Sequence, residues 1–539
     1  MNPLASTKCA RRGLMALAAM TSIFLTVGCG SSSSSPAPNP VGFGLGSLNG
    51  TYVFSSQGAD AAGYPLAVTG AFVTVGTGSI TGGTVDIIDV AFDILPSTPP
   101  AQAAQAITGG SYTVGSDGRG RASLASAYGT VTLDFVLTST SHGLVSEFDT
   151  HGTGSGTLDL QTAVTSVSQL AGPYAFSLAG SDGSANLAPF ATAGAFNLNS
   201  SGSIIGGGGV EDFNDNGAVI SESLSGVATL GSGTGPGQIT LTTTSFPLTF
   251  DFYPIDATHW KLIETDYNEF LAGDVLTATE STVGTMVFTM AGGISTTTSA
   301  TSVANGGLMT YNANSVTGSE DVNTDGTVLT QVGFRGTPGA TGLIGGRVVV
   351  TLSDFVPATQ WVIYPYSGGL LMLETDSSAV TLGAAYPQSA TSFTAPGSYG
   401  LNLSGANGAN GGGEVDDIAQ FNATTAVSPA TNMTGVLDEN DMGNLFGDRS
   451  LNPGTYTPDS PATGRGSIIA TTNGTYLGGL TLEYYVVDSS TVLFIEVDTG
   501  QLAVGTFVAQ SSVQPVGAAR SRGAIVRPTL RPHAAVRRK

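Results

Sequence analysis

An acidic signature of the form Glu-x-Asp recurs four times along the chain, and this repeat constrains the fold more than any other feature of the sequence. The four copies are Glu147-Phe148-Asp149, Glu264-Thr265-Asp266, Glu374-Thr375-Asp376 and Glu496-Val497-Asp498. A glycine follows at the ninth position after every Glu, and a glutamine follows at the fourteenth in three of the copies. A composite pattern that returns at a near-constant interval predicts four tandem copies of one structural unit, each about 110 residues long.

Each unit also opens in the same way, with two large apolar side chains separated by one residue. These pairs are Tyr52 and Phe54, Tyr174 and Phe176, Met286 and Phe288, and Tyr399 and Leu401. Residues two apart share one face of a strand, so each unit is predicted to begin with a half-buried strand. Further short runs bounded by Gly, Asn and Asp predict about eight strands per unit.

The fold class predicted from these runs is all-β, with four tandem antiparallel up-and-down units that are each a barrel or a sandwich. A barrel is favoured, because closure leaves no exposed edge strand in the tandem units. The predicted segments are a signal peptide at 1–29, a Ser/Pro-rich tether at 30–47, β-repeats at 48–162, 170–280, 283–388 and 396–510, and a basic disordered tail at 511–539.

Charged residues are few and unevenly placed. They make up 10% of the chain, with 39 acidic against 17 basic residues, and seven of the basic ones lie in the last twenty positions. Every acidic residue lies between the basic N-terminal start and this tail. A nucleic-acid partner is disfavoured, because the acidic body would repel a polyanion. Cations and the chain's own tail are the candidate partners of the body.

The N-terminus has the layout of an export signal, with a basic start, an apolar run over 13–28 and then Cys29-Gly30. The run is short for a membrane span. The sequence Leu25-Thr26-Val27-Gly28-Cys29 resembles the cleavage site of bacterial lipoprotein signal peptides. The resemblance implies that Cys29 carries the lipid, a palmitate-type acyl chain included, and that Gly30 permits sorting to the outer membrane or cell surface. The alternative is an ordinary secretory signal with an incidental cysteine.

The segment after Cys29 supports a tethered display. It is rich in Ser and Pro, a composition that cannot pack a core. The repeat region as a whole resembles bacterial lipoproteins built of tandem β-repeats, a resemblance that implies no catalytic residue. Membrane attachment through the lipid anchor is therefore the predicted partner interaction, and a glycan or another surface protein is a further candidate partner.

Two acidic turns fit the opening half of a calcium loop. They span 212–217 and 321–326, and their candidate ligands are Asp212, Asn214, Asn216, Asp321, Asn323 and Asp325. Hard oxygen atoms at alternate positions before a Gly could wrap a calcium ion. The twelfth residues are Ser223 and Val332 rather than Glu, and Asx residues before Gly also suit a plain β-turn. Plain turns and calcium sites both stay open, and no other cofactor is predicted.

No catalytic residue is predicted. The four histidines lie far apart in the sequence, and a Glu-x-Asp pair that recurs four times suits a structural role better than four active sites. The aromatic residues Trp260, Trp361, Tyr364 and Tyr366 could stack on sugars or fill β-sheet cores. The predicted function is a non-enzymatic, membrane-anchored surface or periplasmic lipoprotein with a structural or adhesive role. The alternative is a carbohydrate-binding or glycan-hydrolysing secreted protein, with or without calcium.

Overall fold

The structure is a computed structural model of the chain. It describes residues 42–90, 102–184, 186–233, 235–266, 268–280, 283–295, 300–339, 344–355, 358–408, 413–425, 432–473 and 479–511. The chain divides into two compact units, Met1–Asn39 and Pro40–Lys539, and all described residues belong to the second. The predicted signal peptide with Cys29, most of the tether, and the tail beyond Ser511 lie outside the described residues.

The described chain forms four antiparallel β-barrels in tandem, as predicted. Barrel 1 contains β1 (Asn49–Asp60), β2 (Pro65–Val75), β3 (Ser79–Asp89), β4 (Gln102–Ala106), β5 (Gly109–Val114), β6 (Arg119–Ser126), β7 (Gly129–Leu137), β8 (His142–Phe148) and β9 (Gly152–Leu160). Barrel 2 contains β10 (Gly172–Asp182), β11 (Pro189–Leu198), β12 (Val210–Asp215), β13 (Ala218–Ser223), β14 (Ser225–Thr229), β15 (Gly237–Thr242), β16 (Pro247–Asp256), β17 (His259–Glu264) and β18 (Glu269–Thr277).

The other two barrels have eight strands each. Barrel 3 contains β19 (Gly284–Ser295), β20 (Ala300–Asn312), β21 (Ser315–Thr324), β22 (Thr327–Pro338), β23 (Val348–Leu352), β24 (Thr359–Tyr366), β25 (Gly369–Glu374) and β26 (Val380–Pro387). Barrel 4 contains β27 (Gly397–Asn407), β28 (Gly413–Ala423), β29 (Met433–Asp441), β30 (Asn444–Pro458), β31 (Arg465–Thr472), β32 (Gly479–Asp488), β33 (Thr491–Glu496) and β34 (Gln501–Ala509). Short 3₁₀ turns occur at Leu45–Ser47, Val167–Leu170 and Ile344–Gly346.

The strand order is up-and-down, and the first strand of each barrel pairs with its last. Barrels 3 and 4 are fully closed. Barrel 1 closes through eight strands, because β2 pairs with both β1 and β3, while β4 pairs with β3 only. Barrel 2 closes less completely. Among the described residues β13 and β14 do not pair, and the segment with Ser203 and Ile204 bridges Leu198 of β11 to Val227 of β14. The barrel form, left open against a sandwich, is therefore the correct one.

Each barrel encloses its own apolar core. The predicted same-face pairs point inward, as Tyr52 and Phe54 do in barrel 1. Trp260 and Trp361 are buried in the cores of barrels 2 and 3. Tyr364 and Tyr366 are also buried, but they face outward into an apolar cluster shared by barrels 2, 3 and 4. The four aromatic residues considered for sugar stacking are therefore packing residues.

The four barrels are joined in a closed cycle. The outer side of the first three strands of each barrel packs on the outer side of the last three strands of the next, as β19–β21 do on β32–β34. Barrel 4 packs on barrel 1 in the same way, through β27–β29 against β7–β9. We call these contacts joints 1–2, 2–3, 3–4 and 4–1. Head-to-tail interfaces usually assemble separate subunits into a ring. In this protein the same type of interface joins four barrels of one chain into a ring.

The two ends of the described chain meet on barrel 1. The Phe43 amide donates to the Ser116 carbonyl oxygen at 3.4 Å. Gln510 Nε2 donates to the carbonyl oxygens of Asp117 at 2.7 Å and Leu137 at 2.9 Å. The first and last described residues of the chain therefore contact the same turn of barrel 1. Within the described ranges, no helix is long and apolar enough to cross a membrane.

Candidate functional site at the barrel joints

The acidic turns and the Glu-x-Asp turns are two halves of one contact between neighbouring barrels. At joint 2–3, Asn214 Nδ2 donates to the carbonyl oxygens of Glu374 at 2.9 Å, Asp376 at 3.1 Å and Ala379 at 3.0 Å. The same socket of three carbonyl oxygens receives Asn323 at joint 3–4 and Asn440 at joint 4–1. Its oxygens belong to Glu496, Asp498 and Gln501 in one case and to Glu147, Asp149 and Gly152 in the other.

The glycine that ends each acidic turn allows this close docking. Gly326 and Gly443 both have φ +82°, in the left-handed region that favours glycine. A Cβ atom on Gly326 would lie 2.6 Å from the Thr499 carbonyl oxygen, and one on Gly443 would lie 2.8 Å from that of Thr150. The backbone of the turn thus lies directly on the Glu-x-Asp turn of the next barrel.

A buried ion pair accompanies the asparagine at two joints. Asp212 accepts hydrogen bonds from Arg347 Nε and Nη2, both at 2.5 Å, and from the Tyr364 hydroxyl. At joint 3–4, Asp321 accepts from Arg465 Nε at 2.8 Å and Nη2 at 3.1 Å, and from the Tyr485 hydroxyl. Both aspartates are almost fully buried. Bidentate arginine pairing of this kind fixes geometry as well as charge.

Four of the six candidate calcium ligands bind protein groups at the joints instead. Asp212 and Asp321 bind arginine, while Asn214 and Asn323 direct their amides at the neighbouring barrel. Asn216 and Asp325 occupy the hairpin tips, at φ 46° and 45°. No group of three or more His, Cys, Asp or Glu side chains that could hold a metal ion occurs in the described part of the chain. Calcium at these six residues stays a prediction, and it would require displacement of the arginines.

The Asp of each Glu-x-Asp pair holds its turn. Asp149 accepts from the Thr132 amide at 3.1 Å, Asp266 from the Thr249 amide at 2.7 Å, and Asp376 from the Gln360 amide at 2.8 Å. All three donors lie at equivalent places on the third strand from the end of their barrels, β7, β16 and β24. Asp498 accepts instead from the amides of Gly500 and Gln501, both at 2.9 Å. These contacts fix the shape of the socket.

The Glu of each pair is enclosed within its barrel. Glu264 accepts from the amides of Glu269 at 2.8 Å and Leu271 at 3.2 Å. Glu374 accepts from the hydroxyls of Ser378 at 2.7 Å and Thr381 at 2.6 Å. Burial raises the pKa of Glu374 to about 7 and raises those of Glu147, Glu264 and Glu496 well above their ordinary value. The Glu of each pair is thus buried inside its barrel, whereas the Asp binds backbone amides; Ser378 donates to both carboxyls of the Glu374 and Asp376 pair.

Barrel 4 contains a group of buried acids that sequence reasoning missed. Asp417 lies opposite Glu439 in the sheet, and both are buried, as are Asp441 and Glu496. Burial and the neighbouring Glu439 raise the pKa of Asp417 well above its ordinary range. The signal was visible in the sequence, since Glu414, Asp416 and Asp417 interrupt an apolar strand pattern. Protonated carboxyls are the form that such an interior favours.

The three described histidines pair with aspartates. His259 Nε2 and Lys261 Nζ lie 2.6 and 2.7 Å from Asp274 Oδ1, and all three side chains are buried. Burial opposes ionisation of Asp274, but the Lys261 charge and the His259 contact outweigh it and lower the pKa. The other pairs are His142 with Asp159 and His151 with Asp89.

We compared the chain with known proteins. No protein-family model matches it, and no curated protein matches it. Solved structures that resemble it include CghA with Sch210972, at 9% identity, 64% coverage of this chain, 90% of the other, and TM-score 0.16. Intact Ap-TbpB with its N and C lobes is 10% identical, with 70% coverage of this chain, 85% of the other and a TM-score of 0.15. The P pilus usher (PapC) translocation pore is 10% identical, with 86% coverage of this chain, 99% of the other and a TM-score of 0.13. Scores this low carry no argument about function.

The asparagine sockets lead to a stability prediction. Replacing Asn440 with Ala removes the donor for three carbonyl oxygens at joint 4–1, so the free energy of unfolding should fall by about 1–3 kcal/mol. Asn444→Ala is the matched control, because Asn444 is exposed and bonds only within its own hairpin, to the Asp441 carbonyl oxygen. Urea denaturation followed by circular dichroism measures both. Equal losses in the two variants would contradict a special role for the socket.

Proposed function

We propose that the protein is a non-enzymatic lipoprotein that is anchored through Cys29 and presents a closed ring of four β-barrels as a structural or adhesive module at the outer membrane or cell surface. The observation that carries the proposal is the use of the repeated polar motifs. Three Glu-x-Asp turns receive an asparagine from the neighbouring barrel, so the residues best suited to chemistry hold the ring together.

The surroundings of the aromatic residues favour this function over a glycan-directed one. Trp260 is 0% and Trp361 is 2% exposed. A sugar-stacking platform needs an accessible ring face, which neither residue offers. The carboxyl pairs also differ from a glycosidase arrangement, because each Glu lies inside a barrel while each Asp binds backbone amides.

Attachment at one place supports a tethered ring. The chain enters the ring through Phe43, and it leaves through Gln510, which reaches the same Asp117–Gly118 turn of barrel 1. Adhesion and spacing require a rigid body with a single attachment region. They do not require a cleft or a channel. Joints with buried ion pairs supply that rigidity.

Lipid anchoring is tested by detergent-phase partition in the native cell. The wild-type protein is expected in the detergent phase, and Cys29→Ser is expected in the aqueous phase, because acyl-chain burial supplies about 0.8 kcal/mol per methylene. Cys9→Ser is the matched control, since Cys9 precedes the apolar run and should be removed with the signal. Retention of Cys29→Ser in the detergent phase would disprove the anchor.

The non-enzymatic part has its own test. The purified wild-type protein, incubated with a panel of glycans, is expected to release no sugar. Hydrolysis that disappears in a folded Glu374→Gln, Asp376→Asn variant would establish an enzyme instead, whatever the result for Cys29.

A further inference from the structure

Among the described residues, the joint between barrels 1 and 2 lacks the arginine that the other three joints have. Strand pairing places an aspartate at the same position on the third strand of all four barrels. These aspartates are Asp86, Asp212, Asp321 and Asp438. Three of them face an arginine of the next barrel, at or just before the start of the fourth strand from the end of that barrel: Arg347, Arg465 and Arg119. At joint 1–2 the residue in the arginine position is Pro236.

Joint 1–2 keeps the aspartate and the tyrosine of the site. The Tyr253 hydroxyl donates to Asp86 Oδ2 at 2.6 Å, as Tyr364 and Tyr485 do to their aspartates. Asp86 is 2% exposed, and its second oxygen, Oδ1, has no hydrogen-bond partner among the described residues. The neighbouring charge that contributes to raising its pKa is that of Asp251, another acid.

This arrangement is unfavourable without a cation. A buried carboxylate costs several kcal/mol to desolvate unless it is paired or protonated. Burial and the Asp251 charge raise the pKa of Asp86 to about 8, so the unpaired site holds a proton at neutral pH. A planar guanidinium would satisfy Oδ1 and offset both acids, as Arg347 and Arg465 satisfy their aspartates.

We propose that joint 1–2 contains a guanidinium-binding site, formed by Asp86 and Tyr253 with Asp251 beside them. The site takes from the tail or from a free ligand the group that an arginine of the neighbouring barrel supplies at the other joints. A bound guanidinium would lock barrel 1 to barrel 2. Its binding would therefore control how firmly the ring is closed.

Two sources could supply the guanidinium. The first is the tail of this chain, which contains Arg520, Arg522, Arg527, Arg531, Arg537 and Arg538. It follows Ser511, whose amide donates to the Thr138 carbonyl oxygen of barrel 1 at 2.8 Å. Its 28 residues could reach on the order of 90 Å if extended, which is ample for a neighbouring joint. The second source is a free ligand that carries a guanidinium group.

The test measures melting temperature at pH 7 and constant ionic strength, with and without 5 mM agmatine, for the full mature chain and for a chain that ends at Ser511. Putrescine is the control, since it has ammonium groups instead of a guanidinium. If the tail is the source, its deletion should lower the melting temperature by about 2 °C or more, and agmatine should restore it. If a free ligand is the source, agmatine should raise the melting temperature of both chains.

Two variants test whether the change in melting temperature comes from the proposed site. Asp86→Asn should abolish every effect of agmatine and of the tail, and Pro236→Arg should do the same by supplying the group in cis. No response of the tail-deleted chain to agmatine would overturn the site. An equal response of the Asp86→Asn variant, or of wild type to putrescine, would overturn it as well.

Discussion

Replacing Arg465 with Ala is expected to lower the free energy of unfolding by about 3–5 kcal/mol, the cost of leaving one partner of a buried ion pair uncompensated. Arg465 donates to Asp321 through two nitrogens and also contacts Asp459 at 2.9 Å and Glu483 at 3.0 Å. Asp321 is 1% exposed, so water cannot replace the guanidinium. Adding Asp321→Asn to the variant should recover part of the loss, because it removes the unpaired charge.

Arg335→Ala is the control for this prediction. Arg335 pairs with Asp354 at 3.2 Å, but its side chain is 74% exposed, so the pair should contribute only about 0–1 kcal/mol. Urea denaturation followed by tryptophan fluorescence suits the comparison, because Trp260 and Trp361 report on barrels 2 and 3. A loss for Arg465→Ala no larger than that for Arg335→Ala would show that joint 3–4 does not depend on the ion pair.

The barrels themselves could be predicted from local patterns. A strand that begins with Tyr52 and Phe54 two residues apart has one apolar face, and Asx-Gly turns mark where strands reverse. These signals are local, so the number of units, the antiparallel order and the inward-facing residues follow from short stretches of sequence. Closure into a barrel was favoured by the need to remove edge strands, which is also a property of a single unit.

The ring could not be predicted from the same patterns. Asn440 and the Glu147 carbonyl oxygen meet across almost 300 positions, and an amide that docks on backbone carbonyls imposes no residue type on its partner. The Glu-x-Asp pair was therefore recognised as a repeat, but its contact with the acidic turn was not. The pair recurs even in barrel 2, where Ile88 replaces the asparagine of the neighbour, because its Asp and Glu also act within their own barrel.

One signal of the ring was present in the sequence. A strand with one solvated face alternates apolar and polar residues, whereas a strand buried on both faces is apolar throughout. The run Leu370-Leu371-Met372-Leu373 is of the second kind, and all four residues are at 0% exposure. Leu370 and Met372 fill barrel 3, while Leu371 and Leu373 pack in the cluster shared with the neighbouring barrels. Continuous apolar strands in a tandem β protein thus indicate that the units pack on one another.

Stability is expected to fall as pH rises from about 5 to about 8, the reverse of the usual acid denaturation. Burial raises the pKa values of Glu211, Glu320 and Glu374 to about 7, and those of Glu147, Glu264 and Glu496 well above normal. Between the unfolded value near 4.5 and these folded values, the native state holds protons that the unfolded chain releases. The free energy of unfolding must therefore decrease with pH across that interval.

The expected size is large because several groups act together. One pKa unit corresponds to about 1.4 kcal/mol, so even a partial shift at each of these glutamates gives a change of several kcal/mol between pH 5 and pH 8. Asp159 and Asp274 act oppositely, since burial opposes their ionisation but the neighbouring His and Lys lower their pKa values. Their contribution is present above the unfolded value near 4 and is lost only below it. Maximum stability should consequently lie near pH 5.

Urea midpoints measured at pH 5, 6, 7 and 8, at one ionic strength, give the curve directly. Glu374→Gln should flatten it, because glutamine cannot ionise, yet it can still accept a hydrogen bond from Ser378 or Thr381. The variant should therefore equal or exceed wild type in stability at pH 8, and the exposed Glu280→Gln should change nothing. A wild-type midpoint that rises with pH, or an unchanged slope in Glu374→Gln, would mean that these carboxyls ionise freely inside the folded barrels.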